Sequence, residues 1–454
     1  MSVASTAGKP LLKSGSFPFA DSTFEEEFEV RIVFTCEHFS KKMGYIENCL
    51  PKALSRLGHD VHVVATNLQC NYRLGAKYAE IYEEFLGPVE VPCGTEILDG
   101  YTLHRLPHSK PLGFARIRGL RLTQLLRSLR PDVVQAHAVA SWMPLEAALA
   151  RPYAGYKLFT AAHQTASIVP QELKDSSRWS WARIKSEFRR GIPGRIVDLF
   201  SEKCYAATID CAEMATKFYG VSESKIDLCP LGVDTEMFHP ADDREVAQRR
   251  SELRQSLGIN AAEILCIYTG RLDPSKNPLC LAQAVAQLRR DGQPYRALFL
   301  GAGTQRDAIE QSDGSVMHPF VRWDELPDFY RAADIGVWPR QESLSMLDAA
   351  ASGIPVVVSD RMQATERVDG NGIMYKEDDP VELAAGLLSL KSLAYRQSLG
   401  GYGCKKIQES FSWMATARRR VIDYEAAIRR KPRSKPAGIP DATLPLNRPL
   451  KKAI

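Results

Sequence analysis

The chain has 454 residues, of which 44% are hydrophobic and 25% charged. That is a soluble globular balance, long enough for two large domains or three smaller ones. Its 59 Lys and Arg against 54 Asp and Glu leave a formal charge of +5, too little for a histone-like or ribosomal protein. Residues 429–454 hold eight basic residues and one acid, so this tail carries +7 and the rest of the chain is slightly acidic. Ten cysteines occur singly, none in a C-x-x-C pair, which argues against a zinc ribbon or a thioredoxin-type motif. The N-terminus lacks the apolar core of a signal peptide, and no stretch approaches 18 apolar residues. The expectation is a cytoplasmic protein with reduced cysteines and no membrane span.

Residues 1–28 are expected to be a disordered arm. The first buried-strand pattern is 30–36 (VRIVFTC), followed by a helix pattern over 44–57 and a strand over 60–65 (DVHVVA). Further strands are expected at 133–136, 157–161 and 206–209, with helices at 117–129, 143–149 and 184–202. Short continuous apolar strands alternating with helices indicate a parallel sheet covered on both faces. The segment 229–240 (CPLGVDTEMFHP) is punctuation. The alternation then restarts: strands at 264–268, 297–300, 335–338 and 355–358, helices at 277–288, 325–333 and 346–351. The expected fold class is α/β, with two Rossmann-like doubly wound units facing a cleft. The expected domains are 29–232, 233–410, a helix over 411–429 returning to the first domain, and a disordered basic tail over 430–454.

Three loops carry chemistry. In Gly270-Arg271-Leu272-Asp273-Pro274-Ser275-Lys276, two cations five residues apart leave a strand end and lead into a helix. Backbone N–H groups and two cations suit a diphosphate, and an ordinary loop with solvated charges is the plainer alternative. The second loop is Glu342-Ser343-Leu344-Ser345-Met346-Leu347-Asp348, ending at Gly353 and Pro355. Ser345 and Asp348 have capping-box spacing and need do no more than start a helix. Alternatively, Ser343, Leu344 and Ser345 hold phosphate through backbone N–H groups while Asp348 accepts from sugar hydroxyls. The third loop holds Gly44, where a ligand could approach the backbone. His137 and His163 each follow a strand of the first half, where an imidazole can donate to substrate oxygens or move a proton. No G-x-G-x-x-G run, Asp-x-Asp triplet or H-E-x-x-H is present, so neither a dinucleotide cofactor nor a metal site is expected.

Taken together, these segments resemble the retaining glycosyltransferases of family 4, which have the GT-B fold. Gly270-Arg271-Leu272 with Lys276 is similar to that family's G-R-L-x-x-x-K element. Asp348-Ala349-Ala350-Ala351-Ser352-Gly353-Ile354-Pro355 is similar to its E-A-M-A-S-G-x-P element, and Leu231-Gly232-Val233-Asp234 with Phe238-x-Pro240 to its hinge. Gly44 with Glu47 is similar to its N-terminal G-G-x-E loop. The resemblance implies that Arg271 and Lys276 bind the donor diphosphate, that Asp348 holds the donor ribose, and that His137 lies near acceptor and transferred sugar. Glu342 and Asp348 are six residues apart where the family spacing is eight. Glu342 is therefore left between a contact to the transferred sugar and a displaced place in a shortened loop.

The expected activity is metal-independent transfer of a sugar, of hexosyltransferase type, from a nucleotide-diphosphate sugar to a hydroxyl. The acceptor would be a glycan or lipid-linked, as in polysaccharide, glycolipid or glycoconjugate synthesis. A non-catalytic nucleotide-sugar-binding scaffold and a GT-B-fold sugar epimerase are the alternatives. Two basic segments, 111–130 with five Arg and no acid, and 178–195 with six cations beside Trp179 and Trp181, fit either an anionic membrane surface or a solvated helix face. The first reading gives peripheral association with the cytoplasmic membrane face. No nucleic-acid motif accompanies the charge.

Overall fold

The computed structural model describes residues 29–430, apart from 42, 111–114, 140, 165–180, 242, 341–342 and 363. The expected disordered arm and the tail beyond residue 430 therefore lie outside the described residues. So do Glu342, Trp179 and parts of both basic segments.

The first half is built on β1 (Arg31–Cys36), β2 (Asp60–Thr66), β3 (Gly94–Leu98), β4 (Tyr101–Leu106), β5 (His108–Ser109), β6 (Arg116–Ile117), β7 (Val133–Ala136), β8 (Lys157–Ala162), β9 (Ser201–Ala206) and β10 (Ile226–Leu228). Eight of these form one sheet in the order β10-β9-β8-β7-β1-β2-β4-β3. Every pairing is parallel except β3 with β4. The second half has β11 (Ile264–Thr269), β12 (Tyr295–Leu300), β13 (Ser315–His318), β14 (Ile335–Trp338), β15 (Val356–Ser359) and β16 (Gly372–Tyr375), in the order β13-β12-β11-β14-β15-β16. The central strands β1, β7, β11 and β14 are buried nearly throughout, which is why each reads as a continuous apolar run. In both sheets the order reverses beside the first strand, between β1 and β7 and between β11 and β14. Open parallel sheets bind ligands at the carboxyl ends of such switch points.

Elements departed from their sequence patterns where polar residues found partners. The strand expected at 206–209 is Ser201–Ala206, and Ile209 instead opens the Ile209–Tyr219 helix. Glu202 and Lys203 make this strand look helical. In the fold Glu202 pairs with Arg151 at 2.7 Å, and Lys203 with Asp423 at 2.7 Å and Asp227 at 3.2 Å. The β3–β4 hairpin was not foreseen. Its turn, Asp99-Gly100, has positive φ at both residues, and an Asp-Gly pair between alternating residues was the available signal. After residue 380 the chain forms three helices, Pro380–Ser389, Leu393–Lys406 and Trp413–Arg429.

Asp334 shows how a short motif can serve the fold. Its carboxylate accepts from the Leu265 N–H at 2.8 Å and pairs with Arg250 at 2.9 Å and Arg254 at 3.0 Å. It thereby ties the Arg244–Ser256 helix to the edge of β11 and β14.

The chain passes between the halves at two points that touch. Val233 N–H donates to Phe411 O at 2.8 Å, and Trp413 N–H donates to Val233 O at 3.0 Å. After this crossing, Trp413–Arg429 lies on the first sheet. Trp413, Ala417, Tyr424 and Ala427 join a core with Phe34, Val133, Phe159 and Tyr205. Tyr424 Oη donates to the buried Gln135 Oε1 at 2.9 Å. Gly232 sits in the crossing, where a Cβ would come within 2.7 Å of Trp413 N and 2.8 Å of its Cα. Backbone there cannot step aside cheaply. Gly232→Ala should therefore lose about 1–3 kcal/mol of stability, measured by urea unfolding. A midpoint and slope equal to wild type would show that the crossing tolerates a methyl group.

Candidate functional site

Strands β8, β7 and β1 are neighbours, so the residues that follow them meet although far apart in sequence. His38 follows β1, His137 follows β7 and His163 follows β8. The His137 N–H continues the ladder by donating to Thr35 O at 2.9 Å. Its ring stacks on His163, with centroids 5.0 Å apart. The Ile46–Arg56 helix begins beside them and buries Glu47 in its first turn. The Glu47 carboxyl lies 3.5 Å from His137 Nε2 and 3.9 Å from His38 Nδ1.

Burial dominates the protonation of this group. It pushes the Glu47 carboxyl up to about 7, opposed by the hydrogen bond from its own backbone N–H. It depresses His137 to about 3, helped by the neighbouring His38 and by the Arg420 charge, and it holds His163 well below its ordinary value. The two stacked imidazoles are therefore neutral at physiological pH, and each has nitrogen that can donate or accept. His137 Nδ1 and both ring nitrogens of His163 are buried without a hydrogen-bond partner.

In the second sheet β11 lies between β12 and β14, so three loops come together. Leu272 N–H donates to Ala302 O at 2.9 Å, seating the loop that starts at Gly270 against the loop after β12. Asp273 closes this loop into a turn. It accepts from the Ser275 N–H at 3.0 Å and from Ser275 Oγ at 2.5 Å. Arg271 leaves the turn with 72% of its side chain exposed, 3.1 Å from Asp273, while Lys276 is half-buried. From the loop after β14, Arg340 donates to Pro274 O at 2.7 Å and pairs with Asp378 at 2.5 Å.

The Ser345–Ala351 helix follows. Leu344 takes the N-cap position with no side-chain cap, so Ser345 and Asp348 do not form the capping box that their spacing allowed. Ser345 N–H instead donates to Ser343 Oγ at 3.3 Å. Burial raises the Asp348 carboxyl to about 7, and the nearby Asp234 charge adds to the rise. Tyr330, whose Oη is 2.8 Å from Thr269 Oγ1, also feels the Asp348 charge.

The two groups face each other across the cleft. The Asp348 charge reaches Cys49 on the Ile46–Arg56 helix. Lys52 on that helix pairs with Asp234 at 3.1 Å, and Arg56 pairs with Glu236. Gly44 meets the Trp323 indole so closely that a Cβ would lie 2.2 Å from it. Trp323 packs against the cores of both halves. The sequence motifs did not single out Lys52 or Trp323, because neither sits in a recognisable pattern. Glu47 entered only through the N-terminal loop. Among the described residues, no cluster of three or more His, Cys, Asp and Glu could hold a metal ion, and no helix is long and apolar enough to cross a membrane.

Two family sequence models match this chain. "Glycosyltransferase Family 4" covers residues 50–237 and "Glycosyl transferases group 1" covers residues 263–392. The chain is 28% identical over 248 residues to the D-inositol 3-phosphate glycosyltransferase of Xylanimonas cellulosilytica, spanning 51% of this chain and 58% of that one. It spans a little more than half the length of the curated relatives it matches first. Among solved structures, a glycosyltransferase from Rickettsia africae superposes with a TM-score of 0.60 at 13% identity, over 89% of this chain and all of that one. Anabaena HepE, solved in complex with UDP, gives 0.59 at 16% identity, over 87% of this chain and all of that one. Two doubly wound sheets with facing switch points, closed by a returning terminal helix, define the fold as GT-B. The chain belongs to the family 4 glycosyltransferases.

The buried Asp348 gives a signed prediction. Its folded pKa, about 7, lies above the ordinary carboxyl value, so unfolding releases a proton between those two values. Wild type should lose stability relative to Asp348→Asn as pH rises from 4 to 7, with the difference levelling above 8. Urea unfolding at each pH checks this. A constant difference would mean that Asp348 titrates normally.

Proposed function

We propose that this protein transfers a sugar from a nucleoside-diphosphate sugar to an acceptor hydroxyl with retention of configuration. The observation that carries the reading is the meeting of the Gly270–Lys276 loop and the Ser343–Asp348 segment at one switch point, opposite the Glu47, His137 and His163 group at the other. Breaking the glycosidic bond places negative charge on the departing diphosphate. Arg271 and Lys276, on a turn set by Asp273, stabilise that charge, and cations already seated on the diphosphate need little reorganisation when it develops. An incoming diphosphate exchanges with Asp273 for the Arg271 guanidinium.

Asp348 accepts hydrogen bonds from the donor ribose. Those bonds favour its ionised form, so donor affinity rises with pH through about 7. Gly270 and residues Ser343, Leu344 and Ser345 line the phosphates, and Gly44 closes on the donor from the other half. His137, kept neutral, orients the transferred sugar, and His163 lies on the acceptor side. We assign Glu342 to the transferred sugar. Acceptor attack and diphosphate departure take place on the same face of the sugar, and the leaving phosphate takes the acceptor proton.

Release of nucleoside diphosphate from UDP-, GDP- and ADP-glucose, measured without acceptor, tests the donor half. Arg271→Ala and Lys276→Ala should each lower the rate on the preferred donor at least tenfold, about 1.4 kcal/mol. A smaller loss in both removes their role. No release from any donor, with nucleotide still bound, would favour a non-catalytic scaffold.

We further propose that the acceptor is a glycan carried at an anionic membrane surface. Trp181, Phe188, Ile192 and Leu199 are exposed along residues 181–200, beside exposed Leu149 and Tyr153 of the Trp142–Ala154 helix. Arg189 and Arg195 are exposed in the same stretch. Exposed apolar side chains with arginines among them suit an anionic headgroup layer. The protein should float with vesicles containing phosphatidylglycerol and stay behind with phosphatidylcholine alone. Replacing Trp181, Phe188 and Leu199 by Ser should abolish flotation, and equal behaviour of the two vesicle types would overturn the proposal.

A further inference from the structure

Between β2 and β3 the chain spends residues 67–93 on a 3-10 turn, Tyr72–Leu74, and one continuous helical stretch, Ala76–Leu86, which widens to π pitch over Ala79–Glu83. Single π turns inside a helix frequently mark functional sites. With Lys41 and the edge strand β3, this segment borders a cavity of about 670 Å³ that is open to solvent, a size that suits a small molecule. None of the motifs assigned to the donor lines it.

The cavity has two unlike sides. Phe85 and Leu86 supply an apolar wall. On the polar side, Glu96 accepts from Lys41 Nζ at 2.5 Å and lies 3.9 Å from the Arg105 guanidinium. Arg105 is only 6% exposed. It is fixed by donating to Phe39 O at 3.0 Å and by lying over the Phe39 ring at 5.3 Å. The Gln69 amide is equally fixed, accepting from Ser40 Oγ at 2.7 Å and donating to Leu86 O at 2.7 Å. The lining holds two cations, Lys41 and Arg105, and two carboxylates, Glu84 and Glu96. An anion would meet Glu96 set between the cations, and an apolar ligand would strip water from the charged groups without replacing its hydrogen bonds. A neutral ring with one C–H face and a rim of hydroxyls satisfies both sides.

We infer that this cavity seats a neutral pyranose of the acceptor glycan, its ring against Phe85 and its hydroxyls shared between Glu96, Lys41 and Arg105. Its part in the reaction rests on the transferase reading, whereas sugar binding does not. Two links join the cavity to the cleft. Lys41 lies on the loop that leads to Gly44, and Phe85 meets Phe320 of the second half with ring centroids 6.2 Å apart.

The test titrates the full chain with methyl α-glucoside, methyl α-mannoside and methyl β-galactoside by ligand-observed NMR. Inorganic phosphate serves as the anionic probe, and UDP, GDP and ADP are titrated on the same samples. At least one glycoside should bind saturably, Phe85→Ala and Glu96→Gln should each weaken it at least tenfold, and phosphate should not displace it. Glu96→Gln keeps the side chain's shape, so nucleotide binding and circular dichroism on that variant separate a lost site from a lost fold. The inference is overturned if no glycoside binds while a nucleotide does, if both variants bind the glycoside like wild type, or if phosphate displaces it. Glycoside binding that depends on Phe85, in a protein that releases no nucleoside diphosphate from any sugar donor, would keep the cavity assignment and remove the transferase reading.

Discussion

Two backbone hydrogen bonds, between Val233 and the residues on either side of Ser412, bind the two crossings of the cleft to each other. A single crossing would act as a swivel. Two crossings joined at one point leave a narrow axis, and the Gly232–Trp413 contact leaves no slack beside it. Everything proposed for the cleft depends on this axis, because the donor loops belong to one half and the histidines to the other. The Lys52–Asp234 pair lies close to it, and the Asp234 charge is felt at Asp348.

The site is costly in the sense that active sites often are. Glu47 and Asp348 are both buried carboxyls raised to about 7, and His137 beside Glu47 and His163 stacked on His137 are held neutral. A core selected for stability alone would place apolar residues there. Arg420, fully buried beneath the histidines with its guanidinium over the Tyr205 ring at 4.3 Å, belongs to the same pattern. These groups sit where the sheet ends leave backbone and side-chain polarity converging. A ligand rich in hydroxyls and phosphate supplies the partners that the protein alone does not.

The central strands were legible because full burial leaves a plain sequence mark. The patterns at 133–136 and 335–338 match β7 and β14 residue for residue. The Gly270–Lys276 and Ser343–Asp348 segments stood out in the sequence because each joins a strand end to a helix start. Legibility failed where chemistry came from pairing. Lys203 looks like a helix-surface residue until Asp227 and Asp423 are seen beside it. Trp323 and Lys52 act across the cleft, and a linear sequence holds no mark of which distant residue a side chain will meet. Asp348 was placed correctly in its helix, yet its capping spacing suggested a local job that Leu344 fills without a side-chain bond. The Phe85 cavity was invisible for a further reason: its walls come from the end of a π-widened helix, nearby turns and an edge strand, which share no single periodicity.

The returning helix has a consequence for how the protein is made. Tyr424 completes a hydrogen bond to Gln135 across 289 residues of chain, and Ala417 and Tyr424 fill the same core as Phe159 and Tyr205. During synthesis the first sheet therefore leaves the ribosome with one face covered only in part, by the Ile46–Arg56 helix, and the rest of that face stays open while the whole second half is made. The second half can close its own core as it emerges, since its strands and helices lie within one continuous stretch. The half translated first is thus the half that finishes folding last, and over that interval it is the part of the nascent chain with most need of a chaperone.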